Sequence, residues 1–148
     1  MDTGKGIGLI IVAIAAIVIV SILFQDSEMP PNVDFYQSPE LAEEKIAKGF
    51  STNIKVAARN YDSAPVHDVE VHMTITEGGN WENHLEFDPV TVIDRKLEPG
   101  ESTAIPKYIQ VKAQDVSGIE PKFKIHLELF ANGTSTGNTW EKYIILTE

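Results

Sequence analysis

The side chains best suited to bind a metal ion are the four histidines of the chain and the carboxylates beside one of them. Asp68, Glu70 and His72 alternate with apolar residues, and alternate residues of a strand share one face. Carboxylate oxygen and imidazole nitrogen are ordinary ligands of divalent cations. This pattern favours a solvated acidic face, with a divalent cation site at these three residues as the alternative. No cofactor is predicted. The other histidines are His67, His84 and His126.

Motifs for catalysis are missing from the sequence. It contains no nucleophile elbow, no glycine-rich phosphate loop and no His-Glu-x-x-His pair. Because there is no cysteine, zinc ribbons, iron–sulfur clusters and thiol nucleophiles are excluded. We therefore expect that the protein is not an enzyme, and we assign no catalytic residue.

Two loop residues are candidates for contact with other molecules. Trp81 lies in the segment Gly-Gly-Asn-Trp-Glu-Asn and is an interaction candidate, whereas Trp140, in a strand close to Tyr143, is expected in the core. Asn132 begins an Asn-Gly-Thr triplet, which is the acceptor pattern for N-glycosylation. The same Asn-Gly pair is typical of a hairpin turn, and both interpretations can hold together.

These residues are carried by a region in which apolar and polar residues alternate from Phe50 to the end of the chain. Turn signals separate the alternating runs, including one at residues 60–65 and one at 97–102. About seven short strands are predicted, so the fold class is mainly β. An antiparallel β-sandwich of immunoglobulin type is expected over residues 50–148.

A short helix is predicted before this domain, over residues 38–49. Ser38 is a good cap, Pro39 suits the first helical position, and Gly49 suits the end. Acidic residues come early in the segment and lysines come late, which complements a helix dipole. Residues 25–37 contain Pro30-Pro31 and are interpreted as a stalk or linker.

The run Ile7–Phe24 contains eighteen residues and no charge. A helix of that length covers about 27 Å, close to the hydrocarbon thickness of a bilayer. The run is longer than the core of an ordinary signal peptide, and no small-x-small cleavage site follows it. We therefore expect a transmembrane helix at 7–24 that is retained as an anchor.

Charges beside this run predict its orientation. Lys5 precedes it, whereas Asp26 and Glu28 follow it. Residues 1–6 are expected in the cytoplasm and the large domain outside it, in a single-pass protein of the cell membrane. The formal net charge of −10 argues against nucleic acid as a partner.

Two segments, Ile54–Val71 and Leu97–Ser102, carry a resemblance to known domains. In the first, a strand ends at Asn60 and Pro65-Val66 leads into the next strand; the second contains Leu-Glu-Pro-Gly-Glu. Together they resemble the adhesion-type immunoglobulin-like domains of prokaryotic surface proteins, the CARDB and FxLYD groups. The resemblance implies an interaction module. With the expected anchor, we predict a protein partner in the envelope or membrane. Gly4, Gly6 and Gly8 at the inner end of the expected span would let another helix approach closely, which indicates an accessory or structural subunit of a larger assembly.

The start of the chain, Gly4-Lys5-Gly6-Ile7-Gly8, resembles the class III signals of archaeal type IV pilin-like proteins. That resemblance implies cleavage after Gly6 and an alternative function as a filament subunit or an archaellum stator. The sequence departs from the pattern because Pro30-Pro31 interrupts any continuous helix before the β domain.

Overall fold

The computed structural model describes residues 29–116 and 122–148. The predicted cytoplasmic segment 1–6 and the predicted transmembrane helix 7–24 lie outside the described residues. Within the described ranges, no helix is long and apolar enough to cross a membrane.

The described residues form a mainly β, sandwich-like domain. Eleven strands and one short 3-10 helix are present in these ranges: β1 (Val33–Phe35), β2 (Glu40–Leu41), β3 (Lys45–Ala47), β4 (Ser51–Val56), β5 (Ala58–Asn60), β6 (Val66–Glu77), the 3-10 helix (Trp81–Asn83), β7 (Leu85–Glu86), β8 (Val90–Leu97), β9 (Lys107–Ala113), β10 (Lys122–Ala131) and β11 (Thr134–Thr147).

The strands form three sheets. The largest has the order β3-β11-β10-β6-β8, the second has the order β2-β4-β9-β7, and β1 pairs with β5. All pairings are antiparallel except that of β3 with β11. Among the described strands, β8 therefore has one neighbour and forms an edge of the five-stranded sheet.

One hydrophobic core lies between the two larger sheets. Strand β10 contributes the most regular alternation, and the four apolar residues that the sequence places on one face of it, Phe123, Ile125, Leu127 and Leu129, are all buried. Ile54 of β4 and Val111 of β9 are buried in the same cluster from the other sheet. The predicted β domain is thus confirmed as a β-rich, sandwich-like fold.

Three turns form where their residues predict them. The Asn60 side-chain oxygen accepts a hydrogen bond from the Asp62 N–H at 2.9 Å, which is the expected local turn. Gly100 has φ of 76°, and the N–H of Glu101 donates to the Glu98 carbonyl oxygen at 3.0 Å. Asn132 and Gly133 both have positive φ and join β10 to β11 as a two-residue hairpin.

The predicted helix over 38–49 is wrong. This segment forms β2 and β3 instead, with Ile46 of β3 directly opposite Leu146 of β11. Helix propensities differ by less than about 1 kcal/mol per residue among ordinary residues, whereas full burial of an isoleucine side chain contributes about 1.5–3 kcal/mol. Ile46 is 1% exposed in the core, so long-range burial outweighs the local helix signals.

The predicted stalk over 25–37 and the predicted start of the domain at residue 50 are also wrong, because the domain includes residues of the stalk segment. Residues 33–35 form β1, and Val33 is fully buried. The alternation in β1 covers only three residues, which is too short to stand out from a linker. Strand β1 also depends on a partner, β5, that lies more than twenty residues further along the chain.

We call the end of the domain at which β1 begins the Val33 end. Asn32 lies beside the 61–65 loop there, because its carbonyl oxygen accepts a hydrogen bond from the Tyr61 N–H at 2.8 Å. The hairpin at Asn132 lies at the same end, since its N–H donates to the His67 carbonyl oxygen at the start of β6. The loop that contains Trp81 follows β6 and lies at the opposite end.

Candidate interaction surfaces

The outward side chains of β6, β10 and β11 form a connected polar network, which we call the paired face. The hydroxyl of Tyr143 donates to Glu77 Oε2 at 2.6 Å. Lys124 Nζ lies 3.1 Å from Glu141 Oε2 and 3.5 Å from Glu77 Oε1. His126 Nδ1 completes the network at 2.9 Å from Glu141 Oε1. Strand alternation brings these groups together because each comes from an outward position on a neighbouring strand.

The network changes the acidity of its carboxyl groups. The hydrogen bond with His126, followed by that with Lys124, lowers the pKa of Glu141 below its usual value of 4.5. The hydrogen bond from Tyr143 is the main cause that lowers the pKa of Glu77. Both carboxyl groups therefore stay ionised to a lower pH than an ordinary glutamate.

The same contacts favour the protonated forms of Tyr143 and Lys124. Donation to Glu77 raises the pKa of Tyr143, and the hydrogen bond to Glu141 raises the pKa of Lys124. The Lys122 ammonium also lies 4.2 Å from the centre of the Tyr143 ring. Glu77, Lys124, His126, Glu141 and Tyr143 of the paired face thus satisfy one another.

The predicted cation site brings together two of its three residues. His72 Nε2 lies 3.3 Å from Glu70 Oε2, and the His72 ring stacks on Phe130 with centroids 3.8 Å apart. Asp68 has φ of 49°, and two exposed residues separate the buried Val66 and Val69, so the simple alternation is broken there. Within the described residues, no group of three His, Asp or Glu side chains is placed to hold a metal ion.

The other histidines have structural contacts. His84 is buried, and its Nδ1 lies 2.8 Å from the carbonyl oxygen of Asp115. The backbone of His67 bonds to the hairpin, since its N–H donates to Asn132 Oδ1 at 2.7 Å. His126 belongs to the paired face. None of these contacts was evident from the sequence, because each joins residues on separate strands or loops.

The two loop candidates have different surroundings. Trp81 begins the 3-10 helix and is half-buried, with its ring centroid 5.0 Å from that of Phe87. Trp140 is also half-buried and packs against the core, so its predicted core position is only partly reached. Asn132 lies exposed at the hairpin tip, with its side-chain oxygen bonded to β6. Its glycosylation stays a prediction.

The outer edge of β8 is open, in that no other described strand pairs with it. The N–H of Met73 in β6 donates to the Pro89 carbonyl oxygen at 2.8 Å. Residue pairs of an antiparallel ladder alternate between bonded and non-bonded. The next pairs are His72 with Val90, Val71 with Thr91, and Glu70 with Val92. The N–H and C=O groups of Val90 and Val92 therefore point away from β6.

A groove runs beside this open edge. Val92, Asp94 and Arg95 of β8 line one side, and Ile105 and Lys107 line the other. Ile105 is 74% exposed, while Val90 and Val92 are 44% and 45% exposed. Apolar side chains and unpaired backbone groups thus occur together along one edge, which we call the β8 edge.

The alternation of apolar residues predicts a short strand at Val90 and Val92 but does not show that these two side chains point outward. The structure places Thr91 and Ile93 on the inner side instead. The sequence does contain one sign of outward apolar residues in Val90-Thr91-Val92-Ile93. Alternation places Val90 and Val92 on one face of the strand and Ile93 on the other, so both faces carry apolar residues. Such a strand must direct apolar side chains outward unless both of its faces are covered.

Comparisons with known proteins give no family assignment. No protein-family model matches the chain, and no curated protein matches it. Among solved structures, the C-terminal domain of ZirS is 14% identical with a TM-score of 0.49, over 82% of this chain and 71% of that one. A FixG-related protein from Vibrio parahaemolyticus is 12% identical with a TM-score of 0.46, over 82% of this chain and 100% of that one.

A cohesin module from a Clostridium perfringens family 33 glycoside hydrolase is 10% identical with a TM-score of 0.40, over 82% of this chain and 99% of that one. These structures are varied β domains. At such identities and TM-scores they carry no functional argument for this chain.

Proposed function

We propose that the protein is a single-span, membrane-anchored interaction module whose β domain lies outside the cytoplasm. In this role it is an accessory or structural subunit of a cell-envelope or membrane complex. The observation that carries the proposal is the uncharged run Ile7–Phe24, which has a cation before it and acids after it. We further assign the domain to the immunoglobulin-like class of β-sandwiches, which supports binding roles in many unrelated proteins.

The spacing between the run and the domain supports this proposal. Eight residues separate Phe24 from Val33, the first residue of β1. Even fully extended, such a segment spans at most about 28 Å. The Val33 end would therefore face the bilayer, and the Trp81 loop at the opposite end would lie farther from it. A domain held in this way can meet partners in or near the membrane.

A cysteine-labelling experiment tests both anchoring and orientation. Because the chain has no cysteine, single substitutions give unambiguous sites. Ser63→Cys lies in an exposed loop of the β domain, and Thr3→Cys lies before the uncharged run. With a membrane-impermeant maleimide on intact cells, we expect Ser63→Cys to react and Thr3→Cys to react only after lysis.

Two results would contradict the proposal. One is recovery of the protein from the soluble fraction after an alkaline carbonate wash of the membranes. The other is labelling of Ser63→Cys only in lysed cells, which would place the β domain inside.

A second candidate function follows from the Lys5-Gly6 pair before the uncharged run. If a prepilin-type peptidase cuts after Gly6, the apolar helix becomes a packing element of a filament or of its base. The intact mass of protein purified from its native membrane decides between the two functions. A mature chain that begins at Ile7 supports the filament or stator role, whereas a chain that retains Lys5 supports the permanent anchor.

A further inference from the structure

The edges of the two larger sheets are not equally protected. The four edge strands of these sheets in the described ranges are β3, β8, β2 and β7. Strands β2, β3 and β7 contain only two or three residues, whereas β8 contains eight. Natural proteins keep edge strands short or cover them, because an open edge readily pairs with another strand. Strand β8 departs from that practice.

The side chains around β8 add to the contrast. Val90, Val92 and Ile105 give the open edge an apolar surface, although soluble domains usually protect such edges with charge. The charged residues of the groove are Arg95, Lys107 and Asp94, which sum to one net positive charge. Neither Arg95 nor Lys107 forms an ion pair with any described residue. In a chain with a formal charge of −10, this edge is locally cationic.

We infer that the β8 edge binds an extended segment of a partner protein by antiparallel strand addition. The N–H and C=O groups of Val90 and Val92 would bond to the backbone of the segment, and the apolar surface would accept its alternate side chains. An antiparallel partner runs from the Arg95 side toward the Val90 side. Acidic residues near the amino end of the segment would therefore lie beside Arg95 and Lys107. This inference rests on the proposed interaction role and names the chemistry of the partner.

A second copy of this chain fits the edge less well. Two β8 strands paired about a two-fold axis run in opposite directions, so their Val33 ends would lie at opposite ends of the joined sheet. Two copies anchored in one membrane need both Val33 ends near that membrane. Their net charges of −10 would also repel each other.

A synthetic peptide tests the inference with the full chain in detergent micelles. The probe is two aspartates followed by alternating valine and threonine, with blocked termini. We expect binding with a dissociation constant of about 100 μM or tighter, together with slowed hydrogen exchange at the Val90 and Val92 amides. A control peptide with lysines in place of the aspartates should bind about tenfold more weakly.

Two substitutions separate the backbone contribution from the charge contribution. Val92→Pro removes an N–H that does not bond to β6, so it should weaken peptide binding about tenfold or more. Val92→Thr keeps the N–H and the branched shape, and it should change the affinity by less than about threefold. If Val92→Pro fails to fold, Arg95→Glu replaces it, since this exposed residue should reverse the preference toward the lysine peptide.

Several results would overturn the inference. These are unchanged exchange at Val90 and Val92 with saturating peptide, equal affinity for the two peptides, or full binding by folded Val92→Pro. Protection of the same amides by concentration-dependent dimerisation without peptide would assign the edge to a second copy. Because none of these measurements depends on membrane topology, they can fail while the labelling result at Ser63→Cys stands.

Discussion

Strands β10 and β8 belong to the same sheet but meet very different surroundings. Strand β10 lies between β11 and β6, and its inward residues are fully buried. Its outward residues Lys124 and His126 are paired with acids of the neighbouring strands. In the described part of the chain, β8 has a neighbour on one side only, and its outward valines remain nearly half exposed.

The difference shows how position in a sheet separates stability from availability for binding. A central strand can satisfy its backbone on both sides and pair its polar side chains across both neighbours. An edge strand leaves one row of backbone groups open, whatever its sequence. We therefore expect substitutions in β10 to change mainly folding, and substitutions on the outer side of β8 to change mainly binding.

The largest expected effect comes from a cavity in β10. Leu127→Ala removes a fully buried side chain from the centre of the core and should lower the free energy of unfolding by about 2–5 kcal/mol. The matched change Val92→Ala on β8 should cost less than about 1 kcal/mol, because that side chain is already 45% exposed. Urea unfolding of the full chain in micelles, followed by tryptophan fluorescence, measures both. Equal losses of unfolding free energy in Leu127→Ala and Val92→Ala would contradict the difference between β10 and the outer side of β8.

An intermediate loss of stability is expected when the side chain of Asn60 is removed, because this side chain holds the carboxyl end of β8. The Asn60 amide nitrogen donates to the carbonyl oxygens of Leu97 and Ala64, at 3.0 and 2.9 Å, and Asn60 is fully buried. Asn60→Ala leaves these acceptors without that donor, so stability should fall by about 1–3 kcal/mol. Faster hydrogen exchange at the carboxyl end of β8 should accompany the loss.

The exposed Asn53 of β4 provides the control for this change. Asn53→Ala should stay within about 0.5 kcal/mol of the wild type. If the two variants lose the same stability, the buried amide of Asn60 does not hold the end of β8.

The smallest expected effect concerns pH and the paired face. His126 and Lys124 lower the pKa of Glu141 in the folded protein. A carboxyl group whose pKa is lower in the folded state than in the unfolded state stabilises the protein at pH values above the unfolded-state pKa. This stabilisation is lost as the pH falls through the folded-state pKa. Wild type should therefore melt slightly higher than Glu141→Gln at pH 7, by roughly 1–3 °C, and this difference should disappear as the pH falls below 4.5.

The control for the pH series is Glu82→Gln, at an exposed residue that forms no ion pair with any described residue. Its melting temperature should follow that of the wild type across the series. If the difference in melting temperature between wild type and Glu141→Gln grows as the pH falls, the pKa of Glu141 is not lowered in the folded protein.

Local sequence signals succeeded where a structure depends on neighbours along the chain. The alternation from Phe123 to Leu129 predicted the inner face of β10, and Asn132-Gly133 predicted its hairpin. The signals failed at residues 38–49, where a cap, a proline and a glycine predicted a helix but the segment forms two short strands. Those strands depend on Lys55 of β4 and Leu146 of β11, which are distant in sequence.

The candidate surfaces were less predictable than the fold. Outward positions of Glu70, His72, Lys124 and His126 followed from alternation, but the network that joins β10 to β11 and β6 required the strand order. The open edge of β8 could not be inferred at all, because alternation does not specify which strand lacks a neighbour.

By itself the sequence determined the β-rich class of residues 50–148, the turns at Asn60 and Gly100, and the uncharged run at 7–24 that predicts an anchor. These features depend on composition, periodicity and backbone preferences within a few residues. The tertiary structure alone decided that β1, β2 and β3 join the domain, that Glu141 pairs with Lys124 and His126, and that β8 has an open edge. The physical reason is that each of these depends on burial or pairing between residues far apart in the chain, which local preferences do not encode.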